Sequence, residues 1–263
     1  MSWRRIQGVF FRHFYLWRHN ADYVLDTLWH PVVDLLIWGF VTLYLKEASS
    51  QLGWMTSTLL AAVILWAILR RGQHEITFGL MEEAWSRNLL NFFTTPVTLA
   101  DFLVGTACFG LIKLVIELTL MTFLAWILFG QNLVILGIQL IPFLVSLLMT
   151  GWVLGLFVNT LLIRFGRGLV ALSWIMAFAL QPFACVFYPV EALPLWAQAV
   201  ARLLPCTYVF EGMRSLVSGQ GGVLGNLVLS FVLNAVYLIL GLKAFRGILV
   251  AARRNAWLPR LES

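Results

Sequence analysis

The chain has 263 residues, 61% of them hydrophobic and 11% charged, with a mean hydropathy of +0.88. Soluble domains hold about 45–50% apolar and about 25% charged residues, so this composition excludes a water-soluble globular fold. The formal charge of +6 is spread among apolar stretches and forms no aromatic-interleaved basic patch, which argues against a nucleic-acid partner.

Residues 1–20 place Arg4, Arg5, Arg12 and Arg18 among Trp3, Phe10, Phe11, Phe14 and Trp17. Polar interruptions deny this stretch the unbroken apolar core of a signal peptide. It is predicted to be a retained amphipathic helix lying against membrane lipid, with residues 21–263 forming one transmembrane domain. Stretches of roughly 20 apolar residues suit crossing about 30 Å of hydrocarbon, so the predicted fold is all-α, a polytopic membrane protein with six transmembrane helices.

Span one covers residues 25–45, and span two runs from Trp54 until it stops at Arg70 and Arg71. A cytoplasmic polar segment, 72–98, follows, with a short helix in its middle and Pro96 punctuating its end. Spans three and four cover 99–129 and 133–163, joined by the turn Gly130, Gln131 and Asn132, and Pro142 supplies a kink in the fourth. Span five covers 169–188. Segment 189–222 is proline-punctuated yet apolar, as expected of short re-entrant or interfacial helices, and span six covers 223–242.

Positively charged loops stay cytoplasmic. With the N-terminus inside, the cytoplasmic side holds Arg4, Arg5, Arg12, Arg18, Arg70, Arg71, Arg87, Arg164, Arg167 and the tail residues Lys243, Arg246, Arg253, Arg254 and Arg260. The outside holds Lys46, Arg202 and Arg214, so both termini are expected in the cytoplasm. Trp29, Trp54 and Trp257 at span ends fit an interfacial aromatic belt.

No GxxxxGK[ST] phosphate loop, HExxH or GxSxG occurs, so the chain is expected to have no catalytic residues and no ATPase site of its own. Cys108, Cys185 and Cys206 lack paired spacing, and His13, His19, His30 and His74 are scattered, so no metal site is expected. Ionisable residues inside spans are costly and demand a partner or a role. Lys113 and Glu117, four apart on one face of span three, either neutralise each other or line a polar path. Asp26 and Asp34, eight apart on one face of span one, fit either a proton relay or partners on a neighbouring helix.

Two segments carry a family resemblance. FYPVEALPLWAQAVARLLPCTYVFEGMRSL, residues 187–216, and GLMEEAWSRNLLNFFTTPVT, residues 79–98, resemble the outward and cytoplasmic segments of ABC-2 type permease subunits of ATP-binding-cassette exporters. The resemblance extends over nearly the whole chain. The cytoplasmic loop containing RFGR is similar too, although Gly168 stands where the family often has an acidic residue.

The resemblance implies a bacterial cytoplasmic (inner) membrane location and a homodimer of this chain driven by a separate ABC ATPase, which binds ATP and Mg. In that reading Gly79, Glu82, Glu83, Arg87 and Pro96 couple to the ATPase, while Tyr188, Pro189, Pro194, Pro205, Glu211 and Arg214 form the outward gate, 189–222. Drug-like, lipid-linked and polysaccharide cargoes all suit this plan. The alternative is a proton-coupled secondary transporter using Asp34, Lys113 and Glu117.

Overall fold

The computed structural model describes residues 2–48, 53–86, 95–130, 141–219 and 221–254, and these residues contain helices and turns without strands. In chain order the α-helices are α1 (Trp3–His19), α2 (Ala21–Ala48), α3 (Gly53–Trp85), α4 (Leu99–Phe129), α5 (Ile141–Phe165), α6 (Leu172–Leu180), α7 (Leu195–Ala201), α8 (Pro205–Ser218) and α9 (Val223–Arg254). Short 3-10 turns occupy Arg167–Leu169 and Val190–Ala192.

Four of these helices are long and apolar enough to cross a membrane: Ala21–Glu47, Leu99–Phe129, Ile141–Phe165 and Val223–Ala252. Their exposed faces carry large apolar side chains such as Phe40, Val115, Trp126, Phe157 and Val232, the pattern of helices that face lipid.

Helix α3 is the axis of the bundle. Every residue from Leu59 to Leu69 is buried, so this apolar stretch is enclosed by protein and not by lipid. It packs against α2, α4, α5 and α6, most extensively against α5. That contact is close because it is built on small residues: a Cβ at Gly151 would lie 2.4 Å from the Leu69 carbonyl oxygen, and one at Gly155 2.7 Å from Ile76 Cβ. Between α5 and α9, Ser146, Thr150, Ser230 and Asn234 hydrogen-bond one another away from solvent.

Helix ends follow local chemistry. A reciprocal capping box of Thr98 and Asp101 starts α4, and Gly130, at φ 64°, closes it in the left-handed conformation. Pro205 opens α8, where its missing N–H costs nothing, and Gly219 closes it at φ 69°.

Several expectations change. Span two does not stop at Arg70 and Arg71: α3 continues through them to Trp85, so the first half of the segment predicted as a cytoplasmic loop is the buried end of a core helix. The two arginines have opposite charges waiting on α2 and α4, which removes the reason to leave the bundle. Arg71, at 2% exposure, and Arg70, at 11%, therefore do not count as loop charges in the orientation argument.

Span five is also not one continuous helix. Helix α6 is nine residues long and gives way to turns; Pro182 lacks an amide hydrogen and Cys185 takes φ 55°. Pro142 is the second described residue of α5, and the residues before Ile141, on which the expected kink depends, lie outside the described residues. Between α6 and α9 the expected short helices are present as α7 and α8. Arg87, the stretch 89–94, the turn residues Gln131 and Asn132, and Trp257 and Arg260 lie outside the described residues.

Candidate functional site

The charges of α2, α3 and α4 converge in one buried cluster. The Arg71 guanidinium is its hub: Nε donates to Glu117 Oε2 at 2.6 Å on α4, and Nη1 lies 3.4 Å from Glu75 Oε1 and 3.5 Å from Asp26 Oδ2. Its remaining nitrogen reaches the Thr27 carbonyl on α2. An arginine side chain offers five N–H donors in a rigid planar fork, which suits it to join three helices at once.

Arg70, one residue earlier, lies 3.3 Å from Glu117 Oε1 and 3.6 Å from Asp34 Oδ2. Consecutive residues of α3 thus meet the two aspartates that α2 places on one face. Lys113 Nζ donates to Glu75 at 3.0 and 3.2 Å and lies 4.8 Å from the centre of the Phe109 ring. The neutralisation expected between Lys113 and Glu117 is therefore replaced by separate partners on α3: Glu75 for Lys113, and Arg71 with Arg70 for Glu117.

Burying such charges is costly, and each ion is retained by partners close enough to offset its lost hydration. The cluster counts four carboxylates, Asp26, Asp34, Glu75 and Glu117, against Arg70, Arg71 and Lys113. His74 and His30 both approach Asp26, at 3.7 and 3.6 Å. Neither histidine nor the cations of α3 were linked to these carboxylates by sequence reasoning. The Arg71–Glu75 spacing of four was the available signal, since an i,i+4 ion pair marks a helix that continues.

Beside the cluster lies a cavity of ≈ 210 Å³ between α1, α2, α3, α4 and α6. Glu75, His74 and Lys113 belong to both the cluster and the cavity wall, and Gly79 lies on that wall. A Cβ at Gly79 would come 2.6 Å from Thr106 Cγ2, so this position allows α3 and α4 to meet closely.

The N-terminal helix closes the cavity from the other side. It is amphipathic as expected, with Trp3, Phe11 and Tyr15 exposed, and its Ile6, Val9 and His13 face inward onto the protein. Arg12 forms a two-pronged ion pair with Glu83, at 2.6 and 3.0 Å, while His13 lies 3.1 Å from Thr106 Oγ1 and 3.5 Å from Glu82. Asp101, fully buried, accepts the Ser2 backbone N–H.

Of the residues expected to couple to an ATPase, Glu83 is thus 1% exposed and engaged with α1; Glu82 faces the cavity; and Pro96 is exposed in the bend before α4.

The residues expected to form an outward gate make a separate group. Glu211 Oε1 accepts the Arg214 guanidinium at 2.8 Å and the Val190 N–H at 2.9 Å, tying the turn after α6 to α8. The Tyr188 hydroxyl donates to the Pro182 carbonyl, Pro189 and Pro194 precede the Val190–Ala192 turn and α7, and the Pro205 carbonyl accepts Ser230 of α9. Trp38 of α2 stacks on Phe187 with ring centres 4.0 Å apart.

No curated relative matches the chain. The family model of the ABC-2 type transporter matches residues 4–217, a stretch that includes α1, the buried cluster, the cavity and the Glu211–Arg214 latch. That match covers more than half of the chain, and the protein belongs to the ABC-2 type transporter family.

Proposed function

We propose that this chain is the permease subunit of an ABC exporter in a bacterial inner membrane, forming its pathway as a homodimer with a separate ATPase chain. Six crossings, both termini in the cytoplasm and a drug-like, lipid-linked or polysaccharide cargo complete the reading. The observation that carries it is the family match over residues 4–217.

The cytoplasmic coupling element is the end of α3 together with the segment up to Pro96, and includes Gly79, Glu82, Glu83 and Arg87. ATP-driven movement there passes along α3, because one unbroken helix joins Glu83 to the apolar residues 59–69. Through Arg12 and Glu83 the same movement carries α1. The segment 189–222 acts as the outward gate, held by Glu211 and Arg214. Alternating exposure then requires a two-state rearrangement between the two copies.

Proton-coupled transport is less supported, because Lys113 and Glu117 are each held by fixed opposite charges on α3. The test is purification of the tagged chain from native membrane followed by transport in vesicles. An ATPase chain recovered with it, and uptake that requires Mg-ATP, support the proposal. Uptake that is indifferent to ATP and collapses when the proton gradient is dissipated overturns it.

A further inference from the structure

The cavity between α1, α2, α3, α4 and α6 has a chemistry that the permease role does not explain. We infer that it is a binding site for an organic ammonium group, presented by a free amine or by a lipid headgroup.

Six aromatic rings contribute to its wall: Trp17, Tyr23, Phe78, Trp85, Phe109 and Trp174. They are mutually braced, with Phe78 4.7 Å from Trp174 edge-on, 5.9 Å from Trp85 and stacked on the His74 ring at 4.1 Å. An aromatic wall attracts an alkylammonium ion wherever a ring face is open to it. Lys113, paired with Glu75, lies 4.8 Å from the centre of the Phe109 ring.

The charge balance points the same way. Asp22, Asp26, Glu75 and Glu82 line the cavity, against Lys113 and two histidines among the described residues. Lys113 is committed to Glu75, and Arg71 behind the wall lies 3.4 Å from Glu75 and 3.5 Å from Asp26, which leaves Asp22 and Glu82. Glu82 lies 3.5 Å from His13, and among the described residues no Lys or Arg lies within 4.0 Å of Asp22 or Glu82. An occupant with positive charge would complement Asp22 and Glu82; an anion would face these two carboxylates.

His74 supplies the polar end. Both its ring nitrogens are shielded from solvent and make no hydrogen bond, with Asp26 at 3.7 Å and Glu75 at 4.0 Å. A hydroxyl or N–H of an occupant is the partner that would satisfy them. At ≈ 210 Å³ the cavity has room for a headgroup, with the rest of the molecule that bears it extending into an adjoining hollow. That hollow shares Tyr23, Glu82 and Trp85 with the cavity and continues it past Arg12 and His19, giving a route in.

The test uses the full chain in phosphatidylglycerol nanodiscs, titrated calorimetrically with choline and with its uncharged isostere 3,3-dimethylbutan-1-ol. Choline is expected to bind, and the alcohol to bind about tenfold more weakly or worse, the scale of one desolvated cation–aromatic contact. Glu82→Gln and Trp174→Ala should each weaken choline about tenfold while unfolding temperatures stay within a few degrees.

Equal affinity for the uncharged isostere, or no choline heat up to about 50 mM, overturns the inference. Two outcomes support it and separate the sources. Choline binding that vanishes in phosphatidylcholine or phosphatidylethanolamine nanodiscs assigns a lipid headgroup, and binding that persists assigns a free amine. The measurement needs no ATPase, so its failure leaves the permease proposal standing, and the absence of an ATPase partner leaves this inference standing.

Discussion

Arg71 on α3 and Glu117 on α4 form a 2.6 Å ion pair in which 2% and 0% of the respective side chains are exposed. Glu117 also lies near the middle of an apolar helix of 31 residues. The pair is therefore a fastening between two long helices at a depth where neither charge tolerates being alone.

Glu117→Ala is expected to leave Arg71 and Arg70 short of a partner and to destabilise the protein by about 3–5 kcal/mol. Arg71→Met combined with Glu117→Leu should cost less than the sum of the single replacements, because no unpaired charge from this pair remains. Denaturation of the purified chain in detergent measures both; strict additivity would show that the two side chains are not coupled.

Glu83→Lys sets a second cation against Arg12 and should release α1 from the end of α3. Backbone hydrogen exchange across residues 3–19 is expected to rise by at least about tenfold, the equivalent of 1.4 kcal/mol of lost local protection. ATP-driven transport should fall while insertion into the membrane continues. Unchanged exchange in α1 would mean that Ile6, Val9 and Asp101 alone hold the helix.

Two glycines give opposite expectations for the same substitution. Gly151→Ala drives a methyl group to within 2.4 Å of the Leu69 carbonyl and should cost about 1–3 kcal/mol through forced separation of α3 from α5. Gly8→Ala on α1 meets nothing within 4 Å and should stabilise by about 0.5–1 kcal/mol through helix propensity. Thermal unfolding of the two variants side by side distinguishes close packing from backbone freedom.

Arg214→Ala removes the cation from Glu211 and the donor to the Val186 carbonyl. Exchange at Val186–Ala192 should increase and export should decline, with assembly on the ATPase intact. Loss of assembly would place Arg214 in a structural role remote from any gate.

The lipid-facing elements were legible in the sequence because hydropathy reports them directly: 99–129 and the start at Val223 agree with α4 and α9. Local pairing leaves a sequence signal as well: Glu211 and Arg214, three apart on one helix, form an ion pair. What sequence reasoning missed was non-local. Arg70 and Arg71 read as the end of a span because two adjacent cations in apolar surroundings have no cheap local solution. Their solution lies 46 and 47 residues later, on Glu117. For the same reason the pairing of Glu83 with Arg12, 71 residues earlier, was not foreseen. Span five failed differently, because its apolar composition suits a helix while Pro182 and the positive φ of Cys185 turn the chain.

The separation between Arg71 and Glu117 also dictates an order of events during synthesis. When α3 emerges from the ribosome its arginines have the carboxylates of α2 available, but Lys113 and Glu117 have not yet been made. The charged half of α3 must then wait in the aqueous or headgroup region, or inside the insertion machinery, until α4 arrives. Chain truncations that end before Glu117 should leave Arg71 open to modification from water, and those that include α4 should protect it, which makes α4 the piece that seals the bundle.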